Sequence, residues 1–348
     1  MNLRHLARLA DLSASAVSLA LRDSPKISAA TKKRVRLLAD KHGYRADATV
    51  VAMMSHLRKP RAVRQAACFG VISFYDHPRP WENSPHQSRI FSGMTRRADE
   101  LGYRLDPLWL RAPGMNYRRV RNILATRGIE GLLCFGSPDF AQEFPAELDQ
   151  CAVVTVGLSI STPQHRVTSH FYNDTINALN RVHRLGYRRP GLILGTYEEG
   201  RSALAHSSAY LGWCENHLGV RGGLPVLRLA TVEKNPVLAW LEAHRPDVVL
   251  FVNLPDTIPA FRAILRAQRR RVPGELGVAV LSHLVQGTGF SGLQQNQRLM
   301  GAWAVELLAA RIANHDLGIP ANPRIEMVES EWIDGGSLPA LGRGQQLS

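Results

Sequence analysis

Apolar residues in the first 45 positions recur at spacings of three and four, whereas further along they gather in short unbroken runs. Leu3, Leu6, Ala7, Leu9 and Ala10 mark one face of a helix that Asn2 can cap. Ser13 can cap a second helix through Ala16, Val17, Ala20 and Leu21, whose small alanines allow close helix approach. Residues 22–27 read as a loop, Ser28 caps a third helix containing Val35, Leu37, Leu38 and Ala39, and Gly43 ends it. Two helices joined by a tight turn are the helix-turn-helix format, whose second helix lies in a DNA major groove. A small helical bundle of any kind would show the same periods, so charge must separate the readings.

From Cys68 onward the pattern predicts strands at 68–75, 104–110, 131–135 and 152–156, alternating with helices at 88–101 and 117–127. The alternation restarts with helices at 175–185, 205–218, 236–244 and 257–268, and strands at 191–194, 226–229, 248–252 and 277–281. Such alternation implies parallel sheets with crossover helices. Two halves in sequence make a bilobed α/β body with a cleft where ligands of open parallel sheets bind. The fold class is therefore an N-terminal all-α helix-turn-helix head followed by an α/β bilobed body.

Charge changes the picture of the head. The 348-residue chain carries a formal net charge of +14. Residues 1–65 hold 14 Lys and Arg against four Asp, a balance of +10, which leaves +4 for the rest. A basic head on a nearly balanced body suits a phosphate-binding module joined to a separate domain. No apolar run reaches membrane-span length and the N-terminus is not a signal peptide, so a cytoplasmic location without membrane contact is expected. Cys68, Cys134, Cys151 and Cys214 have no paired spacing and the 13 histidines no ligand spacing, so neither disulfide, metal nor cofactor is expected. GxxxxGK[ST], GxGxxG after the first strand, HExxH and GxSxG are all missing, which argues against an enzyme.

The runs Leu3 to Ala10 and Ser13 to Leu21, then Ile27-Ser28 with Thr31, Arg34 and Val35, and Gly43-Tyr44-Arg45 resemble the head of the lactose and galactose repressor (LacI) family. Weaker landmarks extend the resemblance through the chain: Ser92-Gly93-Met94, Gly128-Ile129-Glu130-Gly131, Leu185-Gly186-Tyr187, Arg271-Val272-Pro273-Gly274, and Gln295 with Gly301. The resemblance implies a periplasmic-binding-protein-like body. It divides the chain into a helix-turn-helix domain (1–45), a hinge helix and linker (46–66), a first lobe (67–165 with about 296–328) and a second (166–295 with about 329–348).

The resemblance assigns Ala14, Ser15 and Leu19 to base edges, and the flanking chemistry suggests Ser13, Ser18, Arg22, Lys26, Ser28 and Lys32 for backbone contacts. Leu19 stands where the family usually has an arginine; it can pack on a thymine methyl, which favours an A·T-tolerant half-site, or serve the head's core. Met53, preceded by Ala52, falls at the family's minor-groove leucine and can act as an apolar wedge. The same segment also fits a linker helix packed on the body.

The effector positions depart further from the family. His86 and Gln87 stand near the first-lobe Asn-Pro motif, and His206, after Ser202, replaces a ligand-gripping arginine. Asn253 and His283 occupy the remaining polar turns, Gln295 follows in order, and Tyr75, Trp81 and Phe171 offer stacking surfaces. Each histidine also fits a structural role. The resemblance implies a repressor that binds a pseudo-palindromic operator as a homodimer under small-molecule control. Alternatives are a regulator without small-molecule control, a solute-binding module of the same bilobed fold, and a cleft enzyme.

Overall fold

The computed structural model describes residues 3–21, 24, 27–42, 67–219, 223–252, 258–267, 271–282 and 286–341. Ala52, Met53, Arg22, Lys26, Asn253 and His283 lie outside the described residues.

The head contains α1 (Leu3–Leu9), α2 (Ala14–Leu21) and α3 (Ala29–Lys41). Ser13 Oγ accepts from Ala16 N at 3.1 Å and Ser28 Oγ from Thr31 N at 3.2 Å, so serines cap both later helices. Between α1 and α2 the chain turns at Asp11, which takes a positive φ of 49°. Arg34 Nη2 donates to the Ala10 carbonyl at 2.9 Å, fastening α3 to that turn. Leu6, Ala7, Ala10, Val17, Ala20, Val35 and Ala39 form the buried core of the three helices.

The body begins with β1 (Ala67–Ser73), α4 (Pro85–Glu100), β2 (Tyr103–Trp109), α5 (Tyr117–Arg127), β3 (Gly131–Cys134), β4 (Ala152–Val156) and β5 (His165–Ser169). Then follow α6 (Phe171–Arg184), β6 (Pro190–Gly195), α7 (Thr196–Arg201), α8 (Ala205–Leu218), β7 (Leu227–Leu229), α9 (Lys234–His244), β8 (Val248–Val252) and α10 (Ile258–Ala267). The last elements are β9 (Gly277–Ser282), β10 (Ser291–Gln294), α11 (Gln297–Ala313), β11 (Ile325–Val328) and β12 (Glu331–Ile333). One sheet has the order β11-β5-β4-β3-β1-β2 and the other β12-β10-β9-β8-β6-β7. All pairings are parallel except β10 with β12.

Strands β3, β4, β6 and β8 are buried along their whole length, because helices cover both faces of a parallel sheet. Ile72, Leu108, Val120, Leu124, Leu132 and Val153 fill a core of the first lobe, while separate clusters flank the second sheet. The chain passes between the sheets after β5, after β10 and after β11. The expected lobe boundary at 165/166 therefore needs correction: His165–Ser169 pairs with β4 and β11 inside the first sheet. The run His-Arg-Val-Thr-Ser carries one strongly apolar residue, and non-local pairing rather than its own pattern makes it a strand.

Candidate functional sites

In the head, Ser15 is exposed in the first turn of α2, and Ala14 and Leu19 are half-buried. Leu19 is not part of the cluster that holds the three helices together. Ser13 and Ser28 are exposed at the starts of α2 and α3, and Lys32 is half-buried on α3. Ser18 is different. It is 7% exposed, on the inward side of α2 with Val17, so the expectation of a backbone contact is corrected to a position within the head.

In the body, a pocket opens where strand ends of both sheets meet. Tyr75, Phe135, Gly157, Thr168 and Ser169 come from the C-terminal side of the first sheet, and Val252, Leu281 and Gln295 from the second. His86, Gln87 and Ile90 reach it from α4, Phe171 from α6, Glu198 and Arg201 from α7 and His206 from α8. Helix α4 starts early enough to deliver His86 and Gln87 because Ser84 caps it and Pro85 occupies its first turn. Of the residues expected in the cleft, Tyr75, His86, Gln87, Phe171, His206 and Gln295 line this pocket.

Ser202 does not line it: the side chain is buried and its Oγ donates to the Glu199 carbonyl at 3.1 Å, closing the end of α7. Its neighbour Arg201 lines the pocket instead, as do Glu198, Thr168 and Ser169, none of which the sequence places in the cleft. The signal was weak, since α7 has six residues, four of them charged or glycine. Trp81 stands behind the pocket, stacked on Phe91 at 4.1 Å and tilted against Phe135 at 5.4 Å.

Burial pushes the Tyr75 phenol above its usual range, and the neighbouring Arg201 pulls it back in part. His206 is 3% exposed; burial lowers its pKa to about 4, so the ring is neutral. Its Nδ1 lies 2.8 Å from Thr175 Oγ1, and the Phe171 ring meets it edge-on at 5.4 Å between centroids.

Two of the chain passages between the sheets are bound together beside this pocket. His170 N donates to the Val328 carbonyl at 3.0 Å, Asn173 Nδ2 to the Glu329 carboxylate at 3.0 Å, and Ser330 Oγ to Asp174 Oδ2 at 2.6 Å. Burial raises the Asp174 pKa to about 6, against the bond from Ser330, and Oδ1 has no partner among the described residues. The folded chain therefore holds this proton more tightly than the unfolded one, and stability falls as pH rises from about 4 to about 6. Asp174→Asn is expected to remove that slope and to raise stability at pH 7 by on the order of 1–3 kcal/mol. Urea midpoints between pH 4 and 8 measure this, and parallel curves for the two proteins would contradict it.

The sequence model of the bacterial regulatory proteins of the lacI family matches residues 2–47. The head belongs to the lacI family. No curated protein matches the chain by sequence. Among solved structures the chain is similar to the lac repressor dimer bound to operator and the anti-inducer ONPF, at 14% identity and TM-score 0.59, covering 98% of this chain and 99% of that one. It is also similar to the transcriptional regulator CelR in complex with cellobiose, at 18% identity and TM-score 0.56, covering 97% and 99%. A periplasmic binding protein/LacI transcriptional regulator from Alkaliphilus metalliredigens QYMF, complexed with D-xylulofuranose, gives 15% identity and TM-score 0.53 over 78% and 98%. The fold is thus that of lacI-family regulators, a helical head and a periplasmic-binding-protein-like body. Among the described residues no helix is long and apolar enough to cross a membrane.

Proposed function

We propose that the chain is a non-enzymatic transcriptional repressor that binds a pseudo-palindromic operator as a cytoplasmic homodimer and responds to a small molecule in the interlobe pocket. The observation that carries this reading is the joining of a basic lacI-family head to a body whose pocket draws on both sheets. The head would use α2 for bases, with Ser15 and Leu19 outward, and the capped starts of α2 and α3 for phosphates. Residues 46–66 would form the hinge, with Met53 wedging the operator centre. A molecule touching α4 on one side and α7 and α8 on the other binds the two lobe arrangements unequally. That difference in affinity is the coupling available to the operator.

Similar solved structures support operator binding, dimerisation and a small-molecule ligand: one is a repressor dimer on operator, and others hold cellobiose or D-xylulofuranose. The dimer is testable by sedimentation equilibrium of the full chain with a duplex carrying its inverted repeat. Two chains per duplex are expected, and one chain per duplex at saturation would remove the homodimer.

A further inference from the structure

The polar atoms of the pocket restrict what it can hold, and the argument rests on the pocket being the effector site. Thr175 Oγ1 has one proton, which goes to the Phe171 carbonyl at 3.1 Å. With that proton on the carbonyl, Oγ1 accepts in its 2.8 Å contact with His206 Nδ1, an arrangement that assigns the ring proton to Nδ1. The ring is neutral, and Nε2 is left as an acceptor to which no described residue donates. A ligand on this atom must bring a hydroxyl or N–H.

Thr168 Oγ1 is the second constraint. The residue lines the pocket, is 1% exposed and among the described residues has no hydrogen-bond partner for its hydroxyl. Arg201 is the third: its guanidinium carbon lies 5.8 Å from the centre of the Tyr197 ring, and among the described residues it pairs with no carboxylate. The remaining wall joins apolar side chains, Ile90, Phe135, Phe171 and Leu281 among them, to polar ones, Tyr75, His86, Gln87, Ser169, Glu198 and Gln295. A ligand with an apolar body covers the Ile90, Phe135, Phe171 and Leu281 side of the wall, where a hydroxyl would find no partner.

We infer that the pocket binds a small hydroxy acid with an apolar body, its carboxylate on the Arg201 guanidinium and its hydroxyl donating to His206 Nε2. Thr168 Oγ1 then supplies a further hydrogen bond at the polar end. Arginine suits the carboxylate because its planar donors match the two oxygens. A neutral imidazole acceptor selects the hydroxylated acid over its deoxy analogue, since without the hydroxyl Nε2 remains buried and unpaired.

Calorimetry on the full-length protein without DNA tests this with mandelate, 2-hydroxyisocaproate, phenylacetate, benzyl alcohol and glucose. At least one hydroxy acid should bind, with phenylacetate and benzyl alcohol each weaker by about 10-fold or more. Arg201→Gln should weaken both acids and leave benzyl alcohol unchanged, whereas His206→Phe should erase the preference for mandelate over phenylacetate. Nitrogen-15 chemical shifts of His206 give a reading independent of any ligand, with the proton expected on Nδ1. Binding of glucose alone, no binding of either hydroxy acid, or a proton on Nε2 would each overturn the inference. None of these readouts involves DNA, so hydroxy-acid binding by a chain that selects no operator would overturn the repressor reading and leave this inference standing.

Discussion

Gly301→Ala is expected to lower the unfolding free energy by at least about 3 kcal/mol. An added Cβ at Gly301 would lie 2.0 Å from the Ile90 carbonyl oxygen and 2.8 Å from Met94 N. Gly93 makes the reciprocal contact, where a Cβ would lie 2.0 Å from the Arg298 carbonyl oxygen. Both obstacles are backbone atoms of a facing helix, which cannot rotate out of the way. Helices α4 and α11 would have to move apart, opening the packing around Ile90, Met94, Ala304 and Val305, all buried. Alanine is intrinsically the better helix former by about 1 kcal/mol, so a net loss isolates the contact. Gly93→Ala should behave alike, and the double variant should lose less than the sum because one separation relieves both clashes. Urea unfolding measures all three, and a loss below about 1 kcal/mol for Gly301→Ala would contradict the close crossing. Helix α4 also carries His86 and Gln87 into the pocket, so ligand affinity should fall with stability.

Ser15→Asp is expected to weaken operator binding on the order of 100-fold while leaving the head as stable as before, or slightly more so. Ser15 is exposed in the first turn of α2, and among the described residues its Oγ bonds to Ser13 Oγ at 2.9 Å. A carboxylate in a first helical turn is favourable by about 0.3–1 kcal/mol, because the helix dipole attracts it. Facing DNA, the same charge meets phosphates and acceptor-rich base edges and costs several kcal/mol. The two effects have opposite signs, which separates a DNA-reading helix from a bundle that merely resembles one. Anisotropy titrations at fixed salt, paired with thermal unfolding, measure both. Unchanged affinity would take α2 out of the interface.

The sequence revealed most where local chemistry decides the structure. Helix α5 was read at its observed bounds because Asn116 caps it and Gly128, at φ 64°, ends it. Strands β4 and β8 were also read at their bounds, as unbroken apolar runs between turns. Helix α6 begins four residues earlier than expected, since His170 Nδ1 accepts from Asn173 N and does the capping that serine or aspartate usually signals. Strands β11 and β12 are largely exposed edges whose pairing comes from distant chain, so they carry no alternating pattern of their own. The pocket followed the same division. Positions next to strand ends were legible through the resemblance, whereas Arg201 and Thr168 were not, because α7 and β5 were not foreseen. Arg201 is nevertheless one residue from Ser202, which the resemblance did single out.

The central claim is sequence-specific recognition of a two-fold-related site by the lacI-family head. Selection of duplexes from a random pool by the purified full-length protein, at near-physiological salt, tests it most directly, because phosphate attraction alone dominates at low salt. The account predicts enrichment of one inverted repeat, with half-sites tolerant of A·T where Leu19 would meet the bases. A pool that stays random, both without ligand and with a hydroxy acid present, would contradict it.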